Sequence, residues 1–351
     1  MDISPYVPGK SFVPGEGELI KLSSNETPMG PSPKAVEAYK NEAFQLERYP
    51  DGAAGVLREA IGQKHGIDPG RIVCGTGSDD ILNLLAKAYL RPGDEAIVTE
   101  FAFQVFKIAI MGQGARPVFA SEVDYRTDVD AILSCVSDAT RMVFLANPNN
   151  PTGTYLPYSE VERLRAGLPD RVLLVLDAAY AEYIDREDYN PGQDMVSAGD
   201  NTVMTRTFSK VYGLASLRLG WAYCPQGIAD ALNRVRGPFN VPGPAIAAGV
   251  AALSDEDYVE RSLVHNNKWL PWLSDKIAET GVKVTPSVGN FVLVHFVDIG
   301  KSAQDADRFL QSRRIIVRPL GGFGLPDALR VTVGTEKENL AFIDALSEFM
   351  A

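Results

Sequence analysis

The chain has few of the residues that bind metals or cross-link secreted proteins. Its 351 residues include only three cysteines and three histidines. Cys74, Cys135 and Cys224 lie far apart in apolar segments, which predicts buried thiols in a reducing compartment. The histidines show no spacing typical of zinc ligands. We therefore expect neither a disulfide framework nor a metal site.

Positive charge and long apolar runs are also scarce. The 34 Lys and Arg residues face 45 Asp and Glu residues, which gives a net charge of −11, and no basic run is present. This argues against nucleic-acid binding through counterion release. No apolar run reaches the roughly 20 residues that span a bilayer, and residues 1–5 lack the basic start of a signal peptide. We expect a cytoplasmic protein that binds neither nucleic acid nor membrane.

The composition that is present suits a large globular core, because 45% of the residues are hydrophobic. Short β-branched runs alternate with helical patterns, which is typical of βαβ units. The strand candidates are residues 71–74, 96–99, 117–120, 142–145, 172–176, 203–207 and 220–223. The sequence therefore predicts an α/β fold with a mainly parallel sheet of about seven strands.

The pattern changes near residue 257, where a long helical stretch leads into short strand candidates. These candidates are residues 291–296, 315–318 and 329–333, and a last helix is predicted from Glu336. We predict three parts: an N-terminal arm (1–33), a large domain (34–256) and a smaller α+β domain (257–351). The Pro- and Gly-rich arm is expected to pack on the small domain.

Polar residues follow three of the candidate strands at the point where each strand ends. An Asn-Pro turn at 147–153 follows the first, Asp177 and Tyr180 follow the second, and Ser209 and Lys210 follow the third. Each residue alone is equally typical of a turn, a helix cap or a surface charge. Because ligands bind at the carboxyl ends of the strands in open α/β sheets, their joint placement predicts a binding site.

This set, in this order, resembles the fold-type-I pyridoxal-phosphate aminotransferases over nearly the whole chain. The resemblance implies that Lys210 forms an imine with the aldehyde of pyridoxal 5'-phosphate and later carries a proton. Asp177 would pair with the pyridine nitrogen, and Asn150 and Tyr180 would hydrogen-bond the phenolic oxygen of the ring. The chain is thus expected to be a transaminase.

The resemblance also implies a phosphate site and a stacking residue. Ser209, Arg218 and the turn Gly77, Ser78 and Asp79 would hold the cofactor phosphate, the turn through backbone N–H groups at the start of a helix. Phe103 aligns best with the aromatic residue that stacks on the cofactor ring. The Pro-Thr pair found in relatives is missing here, so a plain core role for Phe103 stays open.

Within this superfamily the closer resemblance is to the histidinol-phosphate aminotransferases. The stretches that carry it are residues 4–10, 22–28, 48–51, 317–319 and 329–334. It implies L-histidinol phosphate and 2-oxoglutarate or glutamate as substrates, with Tyr6, Asn150, Arg318 and Arg330 facing them. It also implies a homodimer in which Tyr49 reaches the cofactor phosphate of the neighbouring subunit.

Other functions remain possible at this level. Phe101, Phe103 and Phe323 could line a pocket for an aromatic amino acid, and a decarboxylase or β-lyase would need the same cofactor residues. A dinucleotide-binding oxidoreductase is less well supported, because Gly75-Thr76-Gly77 lacks the third glycine of the fingerprint. A non-catalytic sensor would carry an added DNA-binding domain, for which the chain has no spare length.

Overall fold

The structure is a computed structural model that describes residues 3–351. Its strands are β1 (Ile20–Lys21), β2 (Ile72–Gly75), β3 (Glu95–Thr99), β4 (Arg116–Ala120), β5 (Glu122–Val123), β6 (Arg126–Thr127), β7 (Thr140–Ala146), β8 (Leu173–Asp177), β9 (Thr202–Thr207), β10 (Gly220–Tyr223), β11 (Lys283–Thr285), β12 (Phe291–His295), β13 (Ile315–Ile316), β14 (Arg318–Leu320) and β15 (Leu325–Thr332).

The helices surround these strands and carry apolar faces toward them. They are α1 (Pro33–Glu42), α2 (Gly55–His65), α3 (Ser78–Tyr89), α4 (Gln104–Gly112), α5 (Val129–Ser134), α6 (Tyr158–Gly167), α7 (Gln193–Ala198), α8 (Gln226–Val235), α9 (Gly243–Leu253), α10 (Glu256–Glu279), α11 (Ala303–Ser312) and α12 (Glu336–Met350). The last helix starts with a capping box, in which Thr335 and Glu338 satisfy each other's backbone N–H groups.

Seven strands form the large sheet, in the order β2-β10-β9-β8-β7-β3-β4. All neighbours are parallel except β10, which runs antiparallel to β2 and β9. The prediction of a mainly parallel seven-stranded sheet in an α/β fold is confirmed. The carboxyl ends of β7, β8 and β9 lie side by side, because these strands are adjacent and parallel.

A second sheet, antiparallel and four-stranded, has the order β11-β12-β15-β14 and packs against α10, α11 and α12. The arm joins this part through β1, which pairs in parallel with β13. The hydrogen bond from the Thr332 backbone N–H to the Leu22 carbonyl (2.9 Å) extends the contact. The arm therefore contacts β13 and β15 of this part, and the division into an arm and two domains stays a prediction.

Two sequence expectations about burial have different outcomes. Cys74 and Cys224 are buried as predicted, and burial raises the pKa of the Cys74 thiol to about 12. Cys135 is only partly buried, so that prediction was wrong. It follows the last residue of the short helix α5, where the chain turns at the surface.

Across residues 3–351, no helix combines the length and the apolar character needed to span a bilayer.

Candidate active site

A cavity of about 410 Å³ lies where the ends of β7, β8 and β9 meet the arm and the small domain. Twelve of the fourteen residues predicted for the site line it. They are Tyr6, Ser78, Asp79, Phe103, Asn150, Asp177, Tyr180, Ser209, Lys210, Arg218, Arg318 and Arg330. These residues are spread over more than 320 positions of sequence from Tyr6 to Arg330, and only the fold brings them together.

Lys210 and Tyr180 are neighbours at the floor of the cavity. The Lys210 ammonium lies 5.4 Å from the centre of the Tyr180 ring, and it donates a long hydrogen bond (3.3 Å) to the Ser24 carbonyl. The Tyr180 hydroxyl accepts a hydrogen bond (2.8 Å) from the Asn25 amide of the arm. The amine of Lys210 is thus weakly held and free to react, whereas Tyr180 is fixed.

Asp177 is a buried carboxylate at the end of β8. Its Oδ1 accepts hydrogen bonds from the Ala179 backbone N–H (3.2 Å) and the Thr205 hydroxyl (3.3 Å). No cation forms an ion pair with it among the described residues, and burial raises its pKa to about 6. A buried carboxylate of this kind is ready to bind a positively charged or N–H donor group of a ligand.

The start of α3 offers a place for an anion. The first residues of this twelve-residue helix have no side-chain cap, because Gly77 stands at the capping position with φ of 94°. Their backbone N–H groups and the helix dipole therefore favour a negative group. A Cβ on Gly77 would push aside the ends of the Asp79 and Arg218 side chains, which form the ion pair at this helix start, and the φ of Gly77 itself favours glycine.

Arg218 connects this helix start to the segment after β9 that contains Ser209 and Lys210. Its guanidinium pairs with Asp79 (2.7 Å) and donates to the Ser209 hydroxyl (3.3 Å). Its backbone is left-handed, with φ of 51°. A non-glycine residue in this region carries strain, which points to a function for its side chain.

Arg318 and Arg330 face each other across the β14–β15 pair, in direct register. They are 7% and 5% exposed, and no carboxylate of residues 3–351 lies within ion-pair distance of either guanidinium. Arg330 donates to Asn150 Oδ1 (2.5 Å) and to the Ser23 carbonyl (2.8 Å), and Arg318 donates to the Val7 carbonyl (2.6 Å). Burial lowers the pKa of Arg330 to about 10.

Like charges opposite each other on two strands destabilise a fold, and buried charges without a counter-ion cost still more. The cavity is lined by four cations (Lys210, Arg218, Arg318 and Arg330) and two carboxylates (Asp79, which pairs with Arg218, and Asp177), which leaves an excess of two positive charges. An anionic ligand would supply the missing counter-charge. The pair of arginines therefore points to an anion site.

The arm closes one side of the cavity. The Tyr6 ring lies 5.8 Å from the Arg318 guanidinium, and the Lys10 ammonium donates to Gln311 on α11 (2.9 Å). On the opposite side, Phe103 lines the cavity while its ring also packs edge-on against the buried Phe106. Phe103 thus lies both at the cavity wall and at the edge of the core, and its stacking on a cofactor ring stays a prediction.

Two predicted site residues and two predicted aromatic residues do not line the cavity. Gly77 lies at the N-cap of α3, just before the helix begins at Ser78. Tyr49 is 81% exposed and stacks on Phe239 at 4.7 Å. Phe101 and Phe323 pack in a separate apolar cluster with residues of the small-domain sheet, although the Phe323 ring lies 5.6 Å from the Arg318 guanidinium; their part in an aromatic pocket stays a prediction.

The sequence reasoning missed several residues of the site. Asn25 fixes the Tyr180 hydroxyl, and its own φ of 54° and its bond from backbone N–H to the Thr332 hydroxyl (2.9 Å) hold it in place. It lies in the stretch 22–28 that carried the resemblance, but no role was assigned to it. Thr205, which donates to Asp177, was missed too. Because side chains two residues apart in a strand lie on the same face, Thr205 and Thr207 of β9 could have been predicted to face the cavity together.

The residues present fit pyridoxal phosphate. The uncapped start of α3, Arg218 and Ser209 suit its phosphate, and the unpaired buried carboxylate of Asp177 suits its ring nitrogen. The weakly held amine of Lys210 suits its aldehyde. A larger open groove of about 650 Å³ beside α10 contains no lysine, so it offers no such fit.

Asp177 gives a prediction about stability against pH for the cofactor-free protein. Its folded pKa of about 6 lies above the ordinary 3.8, so the free energy of unfolding is lowered as pH rises through this interval. We expect Asp177→Asn to be more stable than the parent by about 2 kcal/mol at pH 7.5, and not at pH 4. Urea unfolding at both pH values checks this, and an equal difference at both would contradict it.

Comparison with known proteins agrees with the geometry. The family model described as aminotransferase class I and II matches residues 17–346. Relatives named histidinol-phosphate aminotransferase from two strains of Rhodopseudomonas palustris are 57% and 58% identical, covering 100% of this chain and 97% of each relative. A crystal structure of histidinol-phosphate aminotransferase from Sinorhizobium meliloti in complex with pyridoxal-5'-phosphate has a TM-score of 0.89 and 30% identity, covering 95% of this chain and 90% of that chain. The chain belongs to the aminotransferase class I and II family.

Proposed function

We propose that this protein is a pyridoxal-phosphate-dependent histidinol-phosphate aminotransferase of histidine biosynthesis. It would transfer the amino group of L-histidinol phosphate to 2-oxoglutarate, giving imidazole-acetol phosphate and L-glutamate. The observation that carries the proposal is the Arg318–Arg330 pair, which has no carboxylate partner and lines the cavity that also holds Lys210 and Asp177. The names of the relatives at 57% and 58% identity support the same substrate.

When bound, the cofactor supplies an aldehyde for the amino group and a protonated ring that withdraws electrons. Asp177 would hold the ring nitrogen in its protonated form. The start of α3, with Arg218 and Ser209, would hold the phosphate. Asn150 and Tyr180 would donate to the phenolic oxygen of the ring, and Phe103 would lie against its face. These roles follow from the positions of the side chains around the cavity.

The protein's own groups would bind the substrate and move its proton. Arg318 and Arg330 would take the phosphate of histidinol phosphate in one half-reaction and a carboxylate of 2-oxoglutarate in the other, since guanidinium groups pair with both. Tyr6 and the arm would cover the bound substrate and exclude water. The Nζ atom of Lys210 would accept the proton from the substrate Cα, because it lines the cavity and makes only a long hydrogen bond to the Ser24 carbonyl among the described residues.

The test is a titration of the cofactor-loaded protein with L-histidinol phosphate, without keto acid, followed by visible absorption. The visible band should disappear and return when 2-oxoglutarate is added. A protein that responds to phenylalanine but not to histidinol phosphate would instead be an aromatic aminotransferase. Release of carbon dioxide or pyruvate would indicate a decarboxylase or lyase. A protein that stays colourless with pyridoxal phosphate would overturn the proposal.

The arm gives a prediction about substrate binding. Removing residues 1–15 deletes Tyr6 and the Val7 carbonyl that accepts from Arg318. We expect the KM for histidinol phosphate to rise about tenfold, as for the loss of one charged hydrogen bond, with little change in cofactor affinity. Steady-state kinetics and cofactor titration measure the two effects. An unchanged KM would remove the arm from the substrate site.

We also propose a homodimer with shared sites, located in the cytoplasm. The turn after α1 exposes Phe44, Leu46 and Tyr49, and Tyr49 stacks on the half-exposed Phe239. A monomer rarely exposes such a group of large apolar side chains, which suits a surface covered by a second copy. Tyr49 would then reach the neighbouring cofactor phosphate.

Mixed dimers test the reach of Tyr49 across the interface. Lys210→Ala and Tyr49→Ala subunits should each be poorly active alone. After the two are mixed and exchanged, half of the dimers are hybrids and one site in each has both native residues, so about a quarter of the native sites should return. If Tyr49 served its own subunit, mixing would restore nothing.

A further inference from the structure

An ion pair is buried directly behind the cavity. Arg206 on β9 and Glu182, in the 3-10 turn Ala181–Tyr183 after β8, are joined at 2.8 Å, with side chains 6% and 10% exposed. No other ion pair among residues 3–351 has both side chains buried to this extent. Burying two charges costs free energy that an apolar pair of similar size would not cost, so stability alone does not explain the pair.

Among the residues that the structure describes, Glu182 is the one charged partner of Arg206. The Arg206 guanidinium lies 5.8 Å from the ring of Trp221, its cross-strand partner on β10, and the His65 ring packs against that ring at a tilt, with the centroids 5.2 Å apart. Burial lowers the pKa of His65 to about 3, so its ring is neutral. Tyr189 and Tyr212 also face Arg206, and burial raises the pKa of both hydroxyls, which therefore carry no charge.

The position of the pair in the chain connects it to the site. Thr205 and Thr207 face the cavity side, so Arg206 between them points to the opposite side of β9. Glu182 comes two residues after Tyr180. The pair therefore fastens the turn that carries Tyr180 to the strand that leads to Lys210.

We propose that Glu182 and Arg206 are positioning residues, which hold Tyr180 beside Lys210 and thereby set the environment of the bound cofactor. Two contacts hold the side chain of Tyr180 directly: its hydroxyl accepts a hydrogen bond from Asn25 of the arm, and its ring packs edge-on against Phe291. The Glu182–Arg206 pair adds a restraint on the turn that carries Tyr180, and this restraint comes from within the large domain. This inference rests on the proposed function, because it concerns the same cofactor.

The test uses the full-length protein loaded with pyridoxal phosphate, without substrate. The readout is the pH midpoint of the visible absorbance change of the bound cofactor. The variant Glu182→Gln/Arg206→Met removes both charges, so the net charge of the region is unchanged. We expect the midpoint to rise by roughly 0.5 to 1 pH unit, because an acceptor oxygen that loses a donor holds protons more tightly.

Two further variants separate positioning from simple loss of stability. Arg165→Gln is a matched control: Arg165 binds the Val172 and Asn201 carbonyls at the far ends of β8 and β9. It should lower the unfolding temperature without moving the absorbance midpoint. In a Tyr180→Phe background, the pair variant should no longer shift the midpoint, because the effect passes through the Tyr180 hydroxyl.

A pair variant that unfolds at a lower temperature but keeps the parental midpoint would overturn the proposal, as would a shift that persists in the Tyr180→Phe background. If the double variant does not fold, Glu182→Asp replaces it. We expect this variant to shift the absorbance midpoint in the same direction by a smaller amount, and an unchanged midpoint would contradict the proposal. Arg206→Lys, which keeps the charge, should remain closer to the parent. Failure of the parent protein to bind pyridoxal phosphate would instead refute the proposed function.

Discussion

Replacing Lys210 with alanine is expected to reduce kcat by about 10⁴-fold or more, because in the proposed function one amine supplies both the covalent attachment and the proton transfer. The fold should tolerate the change. Within residues 3–351, the only hydrogen bond of the Lys210 side chain is the long one to the Ser24 carbonyl, so little stabilising energy is lost. The measurement is single-turnover and steady-state kinetics with histidinol phosphate, together with thermal unfolding.

Two control variants show which property of Lys210 matters. Lys210→Arg keeps the positive charge but cannot attack the aldehyde, so it should be as inactive as the alanine variant. Lys87→Ala removes an exposed lysine on α3 that donates to the Val235 carbonyl, and it should keep parental activity. Turnover by Lys210→Ala at the parental rate would remove Lys210 from the chemistry.

The large sheet could be predicted because its signals are local. Each buried strand is a short β-branched run, and each prediction agrees with the structure to within two residues at either end. The strand Gly220–Tyr223 is reproduced without change. Asp177 and Lys210 were found for the same reason: the end of a parallel strand is visible in sequence, and adjacent parallel strands place their ends together.

The small sheet was harder, because its signals are weaker. Lys283–Thr285 was missed, since three residues with a single apolar member show no clear pattern. The strand Leu325–Thr332 begins four residues before the predicted start, and it contains Pro326 and Asp327, which are rare in strands. Pairing with β12 and β14 overrides those local preferences.

Contacts between distant segments could be predicted only where the family resemblance implied them. Asn25 reaches Tyr180 across 155 positions of sequence, and the Arg206–Glu182 pair joins β9 to the turn after β8; the resemblance implied neither contact. Neither the residue types nor their spacing in the sequence predicts such a contact. The position of Tyr49 depends on a second copy of the chain, which a single sequence does not describe.

Arg330 should be the second most sensitive position. Replacing it with methionine removes the charge that we propose binds the substrate anion, and it also frees Asn150, whose Oδ1 accepts from Arg330 at 2.5 Å. We expect kcat/KM to fall roughly 100-fold for both histidinol phosphate and 2-oxoglutarate, which corresponds to about 3 kcal/mol for one lost charged contact. The guanidinium keeps its charge at neutral pH even with its pKa lowered to about 10, so the loss applies throughout the working range.

Arg318→Met is the matched comparison, because Arg318 stands opposite Arg330 but donates to the Val7 carbonyl of the arm rather than to Asn150. Arg318→Met should lower kcat/KM more for histidinol phosphate, whose phosphate group is doubly charged, than for 2-oxoglutarate. Arg330→Met should lower kcat/KM for both substrates. The cofactor-free form of either variant should unfold no earlier than the parent, since removing one of two facing buried cations relieves their repulsion. Parental kcat/KM in Arg330→Met would show that the anion binds elsewhere, and a large loss of stability would show that the two arginines serve the fold rather than the substrate.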